Sequence, residues 1–192
     1  MHLKHYVAAL AAALSFGSAN AALLLGSNNA AGNIVTDYST PGAVSFDLDL
    51  ATLGDASLRF QIEAQDLAGP LSLNALVRNL SGMALSRFDL SLQGISFLTA
   101  GSVTPTFGKL GSVASGAGYA NIAFASPEWA EFHFGNPLAL DGKNDWILDT
   151  RGLAVGDTFV ISADIPEPST FALFLPALCM AGVMAARRRQ RG

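Results

Sequence analysis

Glu131 and His133 stand two positions apart in a chain of 192 residues, and on a strand both side chains would leave on one face. A carboxylate beside an imidazole is the minimal pair for general acid–base chemistry. Nothing that such a pair would activate accompanies it. The sequence has no G-x-S-x-G elbow and no H-E-x-x-H helix, and its single cysteine, Cys179, lies in the apolar C-terminal segment. The expectation is a protein that is not an enzyme.

Three further groupings could bind rather than react. "DGKNDWILD" (Asp141 to Asp149) gathers three aspartates and an asparagine near a glycine, a set of oxygens that could serve calcium. Their order does not follow the D-x-[DN]-x-[DN]-G loop, so a hairpin turn at Asp141-Gly142, followed by a strand carrying Trp146, is expected instead. No metal and no cofactor is assigned. Trp129 and Trp146, with Phe132 and Phe134, could offer aromatic faces to the CH side of sugar rings; the alternative is that they fill a core. Asn79-Leu80-Ser81 fits the N-x-S pattern but is read as part of a turn, with no role.

The elements that must position these residues are strands. Between Val44 and Ala163 apolar and polar residues alternate with a period of two. "AVSFDLDL" sets Val44, Phe46, Leu48 and Leu50 against Ser45, Asp47 and Asp49, and "SLRFQIEA" sets Leu58, Phe60 and Ile62 against Arg59, Gln61 and Glu63. "LSLNALV" and "RFDLSLQGISFL" continue the pattern, the latter with a break at Gly94. Further strands are expected over 103–107, 119–125, 130–134, 145–149 and 158–163, about nine in all. Turn signals such as Pro41-Gly42, Gly69-Pro70, Ser81-Gly82 and Gly156-Asp157 separate them. With no amphipathic helix between strands, the expected fold is all-β, an antiparallel β-sandwich or jelly roll. "GKLGSVASGAGYA" (Gly108 to Ala120) is expected to be a loop, and residues 22–41 an edge strand plus linker.

The two ends of the chain read differently. "MHLKHYVAALAAALSFGSANA" has a basic start, an apolar run and small residues leading to Ala19-Asn20-Ala21, the layout of a signal peptide cut by signal peptidase after Ala21. At the other end, Thr170 to Ala186 carries no charged residue. As a helix it would rise about 25 Å, enough for a short transmembrane span. Arg187, Arg188, Arg189 and Arg191 follow, a basic anchor that stays cytoplasmic while the preceding domain is carried across. Three units result: 1–21 signal peptide, 22–165 exported β-sandwich, 166–192 tail. Within residues 22–165, six Lys or Arg face fourteen Asp or Glu, a net charge of −8. Such a surface repels phosphate backbones, which excludes nucleic acid as a partner. The lone cysteine leaves the exported domain without a disulfide.

Pro166-Glu167-Pro168 stands immediately before the apolar segment, and its prolines favour extended backbone. Pro166 to Thr170 (PEPST), a short hydrophobic helix and a terminal arginine cluster, behind a signal peptide, resemble the PEP-CTERM sorting signal. The resemblance covers about the last 28 residues (Ile165 to Gly192). It implies export in a Gram-negative bacterium that makes extracellular polysaccharide. An exosortase would recognise the signal and cut at or near Pro166-Glu167-Pro168, after an inner-membrane intermediate. The product would lie at the cell surface or be secreted, in a structural, adhesive or exopolysaccharide-associated (biofilm) role. The alternative is a carbohydrate-binding module using Trp129 and Trp146, with or without calcium.

Overall fold

The computed structural model describes residues 21–166. The expected signal peptide through Asn20, Ala19 included, and the expected span and arginine cluster lie outside the described residues. Thirteen strands follow one another: β1 (Leu23–Asn29), β2 (Ile34–Asp37), β3 (Ala43–Leu50), β4 (Ala56–Gln61), β5 (Leu71–Asn79), β6 (Leu85–Gln93), β7 (Ser96–Thr99), β8 (Val103–Pro105), β9 (Lys109–Gly116), β10 (Tyr119–Glu128), β11 (Glu131–Phe134), β12 (Trp146–Asp149) and β13 (Thr158–Asp164). The one helical element among the described residues is a 3₁₀ turn at Ala64–Ala68. No helix there is long and apolar enough to cross a membrane.

The strands form two sheets, ordered β1-β4-β13-β6-β10-β9 and β2-β3-β5-β11-β8, with β12 on the lower half of β5 and β7 beside it. Alternation explains how they pack. In β3, Val44, Phe46, Leu48 and Leu50 are buried while Ser45, Asp47 and Asp49 are half-exposed, and β5 buries Leu71, Leu73, Ala75 and Val77 in the same way. The buried faces of both sheets meet in one core. Phe132 of β11 reaches across to Phe88 of β6 and Phe124 of β10, with ring centroids 5.1 and 5.3 Å apart. Edge-to-face contacts of this kind add to the burial of the rings.

The sandwich is as expected, but it is not wholly antiparallel. β3 runs parallel to β5 over its whole length, from Ala43 opposite Ser72 to Leu50 opposite Asn79. A jelly roll has no such pair. Parallel neighbours need a crossover rather than a hairpin, and here β4 and the 3₁₀ turn make it by way of the other sheet. Two segments are more regular than expected, the one read as an edge strand plus linker and the one read as a loop. Residues 22–41 supply both β1 and β2, and Lys109–Gly116 is an edge strand pairing only with β10. β9 is exposed on both faces except at Leu110, which packs against the core, so it has no alternation to display and owes its conformation chiefly to backbone pairing. Gly94, where a break was expected, takes φ +79° between β6 and β7, and a Cβ there would lie 2.8 Å from the Thr158 carbonyl oxygen.

Candidate functional site

The end of β13 is where the domain hands over to its tail. β13 lies inside its sheet, between β4 and β6, and its buried residues Phe159, Ile161 and Ala163 continue directly into Ile165, which is 2 % exposed. Pro166, the next residue, is exposed. The chain therefore leaves the core with no spacer between the last buried side chain and the first proline. Asp164 flanks this junction in register with Asp89 of β6. Partial burial and the neighbouring carboxylates of Asp55 and Asp89 push its pKa up, with Arg87 opposing them.

The same end of the sandwich is built around a buried carboxylate. Glu128 closes β10 with no exposed surface. Its Oε2 accepts hydrogen bonds from the backbone N–H groups of Thr106, Phe107 and Gly108 at 3.0, 2.9 and 2.8 Å. Its Oε1 accepts from Trp129 and Ala130, both at 2.9 Å. Burial alone would raise the pKa of this group, but the N–H donors of Ala130, Gly108, Phe107 and Trp129 outweigh it and hold the carboxyl below the ordinary glutamate range. Asn79 extends the network. Its Nδ2 donates to the carbonyls of Met83 and Glu128 at 2.6 and 3.2 Å, and its N–H donates to that of Ala130. The 80–84 turn, the 106–108 loop and the 129–130 turn are thus tied to one another.

A family model for the PEP-CTERM protein-sorting motif matches residues 164–189. This chain carries a PEP-CTERM sorting motif. Comparison with curated proteins and with solved structures returned no match. The matched region opens on Asp164, the last residue of β13, so the motif and the sandwich share their boundary. A PEP-CTERM signal implies an exosortase as processing partner and export to the cell surface or secretion.

Of the residues singled out above for sorting, Pro166 is exposed and Ala21 half-buried. Ala19, Glu167, Pro168, Arg187, Arg188, Arg189 and Arg191 lie outside the described residues. The two tryptophans part company. Trp129 is 56 % exposed, whereas Trp146 is fully buried, stacked on Phe134 at 4.6 Å with its Nε1 donating to the Ser102 carbonyl. Trp146 therefore cannot stack on a sugar, nor can Phe132 or Phe134, because all three point between the sheets.

Glu131 and His133 do share the outer face of β11, but His133 Nε2 is 3.9 Å from Glu131 Oε1, beyond hydrogen-bond range. Glu131 sits opposite Arg78, whose guanidinium is taken by Asp47 and Asp49. The Asp141–Asp149 stretch disperses its oxygens. Asp145 accepts from the Asn136 N–H, and Asp149 pairs with Arg151, which holds its pKa down to about 2. Among the described residues no cluster of acidic, histidine or cysteine side chains is arranged to hold a metal. Leu140 to Lys143 is a turn, as expected, but not a hairpin, because β12 pairs with β5 and β7 rather than with β11. A cleft of about 420 Å³ lies at the other end of the molecule, between Leu67, Pro70, Leu98 and Leu153 and the Asp149–Arg151 pair.

Glu128 and Asn79 escaped sequence reasoning. A lone glutamate in "SPEWA" carries no local sign that five N–H groups from two segments will converge on it. For Asn79, the available signal was its place just before Ser81-Gly82, where a short amide side chain favours a turn.

Proposed function

We propose that this is an exported, non-enzymatic surface or matrix protein whose sandwich crosses the inner membrane behind a signal peptide cut after Ala21. The apolar segment 170–186 then holds it at the bilayer, with Arg187, Arg188, Arg189 and Arg191 on the cytoplasmic side. An exosortase cuts at or near Pro166-Glu167-Pro168 and releases or re-attaches the domain, which serves a structural, adhesive or exopolysaccharide-associated role. The observation that carries this reading is the sorting-motif match beginning where β13 ends. Ile165 in the core sets an upstream limit, since a cut before it would take a buried residue from the sandwich.

The test is expression with and without Pro166 to Pro168 in a host that has the processing enzyme, followed by mass spectrometry of the product. The wild-type chain should lose its arginine tail and the deleted chain should keep it. A wild-type product still bearing the tail would replace processing with permanent anchoring. A second reading, carbohydrate binding, is favoured by the exposure of Trp129 alone, and it predicts glycan affinity that Trp129→Ala removes and Trp146 does not provide.

A further inference from the structure

The end of the sandwich from which the tail departs carries apolar side chains that the core does not take up. Phe107 is 74 % exposed, Leu80 61 %, Trp129 56 % and Met83 42 %. They come from three turns that Glu128 and Asn79 lock together, so they are presented on fixed backbone. β13 runs antiparallel to β6 with Asp164 beside Asp89. Asp89 is four residues from Leu85, where β6 leaves the 80–84 turn, or about 13 Å along a strand. The N-terminal side of the domain lies away from this end, because Leu23 pairs with Gln61 and Asn29 with Ala56 at the start of β4. Lys109 begins β9 and Arg87 is the third residue of β6, paired with Asp89 at 2.7 Å, with Asp55 and Asp164 nearby on the outer face of that sheet.

Aromatic and aliphatic side chains presented together suit the headgroup layer of a bilayer, where an indole has both an apolar body and a polar edge. Tethering multiplies any such affinity, because a domain joined to its anchor by only four residues, Pro166 to Ser169, meets the surface at high effective concentration. We infer that Leu80, Met83, Phe107 and Trp129 form an interfacial docking surface that seats the sandwich on the lipid bilayer holding its tail, bringing Pro166 to the membrane surface. This rests on the anchored intermediate proposed above. The domain is acidic overall, so the docking is apolar in origin and persists in high salt.

The two tryptophans supply the assay. The full chain is reconstituted into phosphatidylethanolamine/phosphatidylglycerol vesicles with and without brominated acyl chains, and its emission is recorded at low and high salt. Quenching should be confined to the Trp129 component: Trp129→Phe abolishes it, while the Trp146 emission that remains does not respond. Leu80→Ser/Phe107→Ser should reduce Trp129 quenching several-fold, with an unchanged Trp146 emission maximum certifying the fold. Retention on vesicles after an alkaline carbonate wash reads anchoring separately, and a chain that washes off overturns the anchored intermediate and this inference with it. An anchored chain whose Trp129 emission ignores brominated lipid overturns the docking surface alone. So does a Trp129 that responds to soluble glycan but not to lipid, which would give the patch to carbohydrate.

Discussion

Replacing Glu128 by glutamine removes a charge while keeping nearly the same shape, and the structure fixes what it should cost. A carboxylate can satisfy donors on both of its oxygens, whereas an amide has only one acceptor and must turn an NH₂ toward the other set. With the amide oxygen toward Phe107 and Gly108, the N–H groups of Trp129 and Ala130 lose their acceptor; with it turned the other way, Phe107 and Gly108 lose theirs. Thr106 is spared in both cases because its N–H also reaches the Glu131 carbonyl at 3.1 Å. Either orientation strands two donors, at about 1–3 kcal/mol each. Phe107 and Trp129 are exposed, so water can reach part of the site, and the expected loss is about 2–4 kcal/mol. That is a large share of the ~5–15 kcal/mol that holds a domain folded.

Urea unfolding followed by Trp146 fluorescence would measure the difference, and its pH dependence gives a second check. The folded-state pKa of Glu128 is lowered, so its contribution is complete above the unfolded value of about 4.3 and fades as pH falls through the folded value. The gap between wild type and Glu128→Gln should therefore be constant near neutrality and narrow in acid. A variant within about 0.5 kcal/mol of wild type at neutral pH, the range of an ordinary surface change, would show that the carboxylate does not organise this end of the molecule.

Two more outcomes follow from the same structure. Trp146→Ala should destabilise by about 3–5 kcal/mol, as large aromatic truncations in a core do, while Trp129→Ala stays within about 0.5 kcal/mol; paired urea titrations would separate them. Asp164→Asn should stabilise the domain slightly, by about 0.5 kcal/mol or less because the residue is exposed and screened. Its raised pKa means the charged form weakens folding as pH rises through the folded value, so the gain in melting temperature should appear at neutral pH, vanish in acid and shrink with added salt.

The strands with one wet face were legible because alternation is a local property: Val44 to Leu50 and Leu71 to Val77 can be divided into inward and outward residues without knowing their neighbours. The sorting tail was legible for a related reason, since its features follow one another along the chain and need no fold to be seen. Trp129 and Trp146 show where such reasoning stops. Both are tryptophans near strand ends, yet one faces solvent from a turn and the other fills the space between sheets, a difference set by which side of a sheet each backbone presents.

β9 was missed because a strand exposed on both faces along most of its length obeys no hydrophobic pattern; chiefly the partner β10 makes it one. The parallel pairing of β3 with β5 and the five donors around Glu128 join residues 20 to 30 positions apart or close a loop onto a turn. Sequence by itself determined that this chain is a β-sandwich with an address at its end, because alternation and order are written residue by residue. Tertiary structure alone decided that the address begins at the last buried side chain and leaves beside the apolar loops, because only packing brings distant segments to one end of the molecule.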